Sequence, residues 1–189
     1  MNQTMTDFIQ QRINASSAAI DQLREQVSRI EQVVDAVGAV LRGGGTLLTA
    51  GNGGSAAQSL HLAEELVGRY EADRRPWPAV SLCADPTALT CIANDYGFDR
   101  IFSRQCEALL GKTDALLVLS TSGNSANLVE ALQVATDKGC RTIGLLGRDG
   151  GRCAPMCECS VLIEGPDTAA IQEAHQVIIH MICAALETP

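Results

Sequence analysis

Apolar side chains recur at alternating steps of three and four near the start of the chain, at Ile20, Leu23, Val27, Ile30, Val34, Val37 and Leu41, with polar residues between them. That spacing predicts helix over residues 2–42 with one apolar face. A stripe this long fits either a helical bundle between subunits or a helix or helix pair packed on its own core. It stops at Gly43-Gly44-Gly45, and the period then changes. Short apolar runs predict strands at 46–50, 79–83, 115–119, 142–146 and 160–163. Amphipathic segments between and after them predict helices at 56–67, 86–93, 101–110, 127–138 and 169–186. Apolar runs without polar alternation indicate strands covered on both faces, hence a parallel sheet. The β-α-β rhythm predicts a doubly wound α/β fold of about five strands. The 1–42 helical segment and a 43–189 α/β core are expected to form a single domain, as suits a chain of 189 residues. Sheets of this kind bind ligands at the carboxyl ends of their strands, beside the point where strand order reverses.

Two of the turns after strands carry the same chemistry. The first predicted strand leads into Gly51-Asn52-Gly53-Gly54-Ser55 and then a helix; the third leads into Ser120-Thr121-Ser122-Gly123-Asn124-Ser125 and another helix. Glycines let backbone approach a ligand, while hydroxyls, amides and a helix N-terminus donate to an anion. Each turn alone is also an ordinary tight turn with an N-cap. The pair points to phosphate. The first loop also fits the dinucleotide pattern G-x-G-x-x-A through Ala56. That pattern requires an acid about 20 positions on, at the end of the second strand. The acid there is Asp85, more than 30 positions from Gly51, which argues against a nicotinamide enzyme.

The helix after the first loop carries His61 and Glu65, four residues apart and so on one face. The last helix carries Gln172 and His180, and the chain has only 3 histidines. Such a His/Glu pair is often a mere surface pair, but this one begins from a phosphate loop. Imidazole, carboxylate, an amide oxygen and a second imidazole can together hold zinc. Gln172 and His180, however, are roughly 12 Å apart along one helix. A site near a subunit interface, drawing on more than one chain, is therefore expected.

Composition narrows the partners. With a formal net charge of -8, the chain has no overall field for nucleic acid or an anionic membrane. No hydrophobic stretch is expected to reach the ~20 residues of a membrane span, and residues 1–12 lack an apolar signal core. Of the 8 cysteines, Cys83, Cys91 and Cys183 sit in apolar runs, as reduced thiols in the cytoplasm do. Cys153, Cys157 and Cys159 lack a fourth nearby ligand and the usual Cys-x-x-Cys spacing, which argues against a metal site.

Together these residues resemble a known family, the phosphoheptose isomerases with their sugar isomerase (SIS) domain. The likeness covers essentially the whole chain. It includes the two loops, His61, Glu65, Ile171-Gln172-Glu173, His180, Gly68-Arg69-Tyr70, Asn94-Asp95-Tyr96-Gly97-Phe98 and Phe102-Ser103-Arg104-Gln105. The loops are shared by many sugar-phosphate binders; the His61/Glu65 and Gln172/His180 sets are much more specific. Ala169-Ala170 stand before Ile171, where some family members carry a charged side chain.

The resemblance implies a flavodoxin-like strand order and a helical N-terminal segment used in oligomerisation. It implies a homotetramer with interfacial active sites, and one zinc per subunit held by His61, Glu65, Gln172 and His180. It assigns substrate contacts to Asn52, Gly53, Gly54, Ser55, Asn94, Asp95, Ser120, Thr121, Ser122, Ser125 and Gln172, and the acid/base pair to Glu65 and His180. The implied reaction converts sedoheptulose 7-phosphate to D-glycero-D-manno-heptose 7-phosphate, through an enediol, for bacterial heptose supply. Moving a carbonyl between neighbouring carbons needs a base for the carbon proton and a group exchanging protons with the oxygens, which suits a carboxylate and an imidazole. A cation near those oxygens would stabilise the enediolate. Another ketose phosphate is an alternative substrate. The alternative from another class is a non-catalytic regulator resembling DiaA, which binds the replication initiator DnaA and has no need of a carboxylate at position 65.

Overall fold

The computed structural model describes residues 4–187; the predicted helical positions 2 and 3 lie outside them. The N-terminal stripe is a helix pair rather than one helix. α1 (Met5–Asp21) is followed by a 3-10 turn at Gln22–Glu25 and by α2 (Val27–Arg42). The side chain of Gln22 exchanges hydrogen bonds with the backbone of Glu164, and Gln26 Nε2 donates to Leu162 O at 2.6 Å. These bonds pin the turn to the end of the last strand. Leu23, Ile30, Val37 and Leu41 are buried in the chain's own core, whereas Val27 is half exposed.

The strands are β1 (Leu47–Gly51), β2 (Ala79–Ser81), β3 (Ala115–Ser120), β4 (Arg141–Gly147) and β5 (Cys159–Ile163). They form one sheet in the order β2-β1-β3-β4-β5, every pair parallel. This is the expected doubly wound, flavodoxin-like order. The remaining helices are α3 (Gly54–Val67), α4 (Pro86–Tyr96), α5 (Ser103–Leu109), α6 (Ala126–Asp137) and α7 (Thr168–Glu187).

All residues of β1 and β3 are buried, and their side chains alternate between two apolar layers. Leu117 and Leu119 pack with α2, α3 and α7 on one face, and Leu116 and Val118 with α5 and α6 on the other. Both faces are thus covered, which is why these strands read as unbroken apolar runs.

α7 spans 20 residues and is long and apolar enough, by length and composition, to cross a membrane. This corrects the expectation that no stretch reaches that length. Ile178, Ile179 and Ile182 are instead fully buried in the core. All 8 cysteines are free. Burial pushes the thiols of Cys153, Cys157 and Cys159 up to about 11, 12 and 11. They fill apolar space as neutral thiols.

Strand order reverses between β1 and β3, which pair directly, Gly51 opposite Leu119. The two polar loops consequently leave the sheet side by side at its carboxyl edge.

Candidate active site

In the first loop Gly53 takes φ 57 and ψ −121, a conformation that favours glycine, and caps α3 with no side-chain bond. Gly54 is needed for another reason: a Cβ there would lie 2.6 Å from the amide nitrogen of Gln172. Ser55 is buried, with its Oγ 3.5 Å from Gln172 Nε2. In the second loop the hydroxyl of Ser120 accepts from Gly123 N at 3.0 Å. Ser122 Oγ accepts from Asn124 N at 3.2 Å, while Asn124 Nδ2 donates to Ser122 O at 2.8 Å. Thr121 is half-buried between them.

The two loops are joined by a reciprocal amide pair. Asn52 Nδ2 donates to Asn127 Oδ1 at 3.0 Å, and Asn127 Nδ2 donates to Asn52 Oδ1 at 2.9 Å.

Ser125 starts α6 without a side-chain cap bond, just as Gly53 starts α3. α4 differs, because its Asp85 carboxylate accepts from the N–H groups of Thr87 and Ala88 at 2.8 and 3.1 Å. Asp85 is thereby engaged as a helix cap, in keeping with the argument against a nicotinamide site. Amides in the first turns of α3 and α6 lack such a side-chain cap, and with the helix dipoles they can donate to an anion at this edge.

Two turns into α3, His61 Nε2 lies 3.0 Å from Glu65 Oε1. Ligand atoms of His61, Glu64 and Glu65 all lie within 4.8 Å of one another, so this cluster could hold a metal ion. His180, on α7, closes the cluster from the other side, its ring 5.5 Å from that of His61 in an edge-on arrangement. The Tyr70 ring covers His180, centroids 5.5 Å apart.

The chain thus brings His61, Glu65 and His180 together. Gln172 lies apart from them, beside Ser55 and Gly54 at the anion edge. The amide set between the two imidazoles is Gln176, whose Nε2 is 3.0 Å from both His61 Nδ1 and His180 Nε2. Sequence reasoning passed over Gln176. A signal existed: it stands four residues from each of Gln172 and His180, so all three share one face of α7. Asn94 and Asp95 are both exposed on α4, which has no buried residue, and the side-chain bonds they make stay within that helix.

Comparison with known proteins identifies the family. The SIS domain family matches residues 11–147. The phosphoheptose isomerase of Geobacter sulfurreducens is 47% identical over 184 residues, covering 97% of each chain. The solved phosphoheptose isomerase from Neisseria gonorrhoeae superposes with a TM-score of 0.92 at 37% identity, over 98% of this chain and 100% of that one. The corresponding structure from Francisella tularensis gives 0.93 at 33% identity, again over 98% and 100%. The two neighbouring loops, the His/Glu cluster beside them and the match along nearly the whole length lead to one conclusion: this chain belongs to the phosphoheptose isomerase family of SIS-domain enzymes.

Proposed function

We propose that the chain converts sedoheptulose 7-phosphate to D-glycero-D-manno-heptose 7-phosphate through an enediol, supplying heptose for lipopolysaccharide core or another glycan. The observation that carries this reading is that His61, Glu65 and His180 gather in one cluster, His61 and Glu65 standing on the helix whose N-terminus, capped by no side chain, leaves the first loop. The phosphate lies on the loop of Ser120, Thr121, Ser122 and Ser125, where backbone amides and hydroxyls donate to it. Asn52, Gly53, Gly54, Ser55 and Gln172 hold the sugar at the adjoining loop. Glu65 takes the carbon-bound proton and returns it to the neighbouring carbon, while His180 moves protons on and off the two oxygens. Asn94 and Asp95, whose side-chain bonds stay within α4, complete the site of a neighbouring copy in a homotetramer.

Imidazole and carboxylate are suitable ligands for zinc, and His61, Glu65 and His180 would hold it with an amide oxygen from Gln172 of a neighbouring copy, since the chain's own Gln172 amide rests against Gly54 and Ser55. When bound, the ion supplies Lewis acidity to the oxygens that carry charge in the enediolate. The remaining parts of the proposal are a single domain of residues 1–189 and a cytoplasmic location. Glu65 favours an enzyme over a regulator resembling DiaA, since the carboxylate is needed only for chemistry.

The test is incubation of purified protein with sedoheptulose 7-phosphate, following the aldose product. The wild type should turn over, and Glu65→Gln and His180→Gln should each lose at least about 100-fold in kcat, as removal of an acid/base group does. A silent wild type overturns the enzyme; unimpaired variants overturn the roles.

A further inference from the structure

Sequence reasoning assigns no role to Asn127, the second residue of α6, yet its side chain is almost fully buried, at 1% exposure. A carboxamide taken out of water needs partners for its donors and acceptors, or its burial is costly. The partner here is Asn52, 75 residues away on the first loop. Asn52 Nδ2 donates at 3.0 Å, and Asn127 Nδ2 donates back at 2.9 Å. With both ends engaged, neither amide can reverse alone, because that would set nitrogen against nitrogen and oxygen against oxygen.

The two loops are not braced alike. The second is held by bonds of its own, from Gly123 N to Ser120 Oγ and from Asn124 Nδ2 to Ser122 O. The segment after β4 adds two more, from Cys153 N to Gly123 O at 2.9 Å and from Arg152 N to Asn124 Oδ1 at 3.1 Å. In the first loop Asn52 stands between Gly51 and Gly53, which have no side chains to pack against it. Among the described residues its carboxamide bonds only to Asn127. The direction in which Asn52 points is therefore set by α6.

A carboxamide has two N–H groups and two lone pairs on its oxygen. The pairing uses one of each on Asn52 and leaves the others on the side turned away from Asn127. Since Asn127 is buried and Asn52 is partly exposed, that side is the open one.

We propose that Asn127 is a positioning residue, holding the Asn52 carboxamide in one orientation so that its spare donor and acceptor meet the hydroxyls of the bound sugar. This rests on the function proposed above and supplies a physical cause for the contact of Asn52 with substrate. Asn127 itself acts only through Asn52.

The experiment is a double-mutant cycle on turnover of sedoheptulose 7-phosphate, with inhibition by inorganic phosphate measured on the same samples. Asn127→Leu keeps the bulk and removes both bonds. In this variant and in Asn52→Ala, kcat/KM should fall about tenfold, the worth of a hydrogen bond that is no longer well placed. The double variant should fall no further than Asn52→Ala alone, because the two residues act as one unit. Inhibition by phosphate should stay as in the wild type, since the second loop keeps its own bonds. Additive losses, or a loss of phosphate affinity equal to the loss in kcat/KM, overturn the proposal. If Asn127→Leu does not fold, Asn127→Ala takes its place in the cycle.

Side-chain amide exchange in the nitrogen-labelled protein reads the pairing without turnover. One Asn52 amide proton should exchange slowly in the wild type and fast in Asn127→Leu. Two fast protons in the wild type overturn the proposal whatever the activity. A protein inactive on that sugar, but with Asn52 held in this way, overturns the function and leaves the positioning by Asn127 standing.

Discussion

His175 stands between Gln172 and Gln176 in the chain but is fully buried, and neither ring nitrogen makes a well-formed hydrogen bond. Burial pushes its pKa down to about 4, with a backbone contact to Leu146 opposing the shift. In the unfolded chain the imidazole titrates near ~6.5. As pH falls from there, the unfolded state gains a proton that the folded state refuses. Stability from the neutral ring is thus complete above ~6.5 and lost progressively down to about 4, of the order of 3 kcal/mol in all. Chemical denaturation between pH 7 and 4 should show that slope, and His175→Leu should flatten it whatever its effect on absolute stability. At Gly54 the consequence is functional. Gly54→Ala places its Cβ 2.6 Å from the Gln172 amide, a side chain that can swing away. Thermal unfolding should therefore change little, while kcat/KM falls by about tenfold through the displaced Gln172.

At the scale of elements, the end of α7 anchors the segment that follows α3. The carboxylate of Glu187 accepts from the backbone N–H groups of Tyr70, Glu71 and Ala72 at 2.9, 3.0 and 2.8 Å, and faces Arg74 Nε at 3.6 Å. The bond from Ala72 leads in holding its pKa below the usual carboxylate value, with burial opposing. The folded value is depressed, so this stabilisation exists above the unfolded pKa of ~4.3 and disappears as pH falls through the lower folded value. Glu187→Gln should lower the melting temperature at pH 7, and the gap from wild type should close toward pH 3. Because Tyr70 covers the His180 ring, the same variant should also reduce turnover. The strands themselves were legible from sequence because β1 and β3 are apolar on both faces. The break at Gln22–Glu25 was not, because Ile20, Leu23 and Val27 keep the helical step across it. The bonds from Gln22 and Gln26 to the end of β5 form where the helix is interrupted.

The molecule as a whole leaves two helices uncovered. α1 buries only Ala19 and exposes Met5, Phe8, Ile9 and Ile13 on one side, and α4 buries nothing. Apolar surface gathered in this way marks a contact with another protein, here taken to be further copies of the chain. Sedimentation should give a mass near four times 20.0 kDa. Phe8→Asp with Ile13→Asp should shift it to smaller species. Activity should fall with the loss of assembly, since the proposed site takes Asn94 and Asp95 from a neighbouring copy.

The order of elements, the parallel sheet and the two phosphate-type loops are local properties. Each follows from the period of apolar residues or from a run of glycines and hydroxyls, and so each was readable along the chain. Their neighbours in space were not. That Asn127 holds Asn52, that Gln172 rests on Gly54, and that Gln176 reaches both imidazoles depend on how α6 and α7 pack against the sheet and α3. A residue's type and spacing state what it can donate or accept. Which partner it meets is decided by packing between elements 75 to 118 residues apart, and there the choice between Gln172 and Gln176 was made.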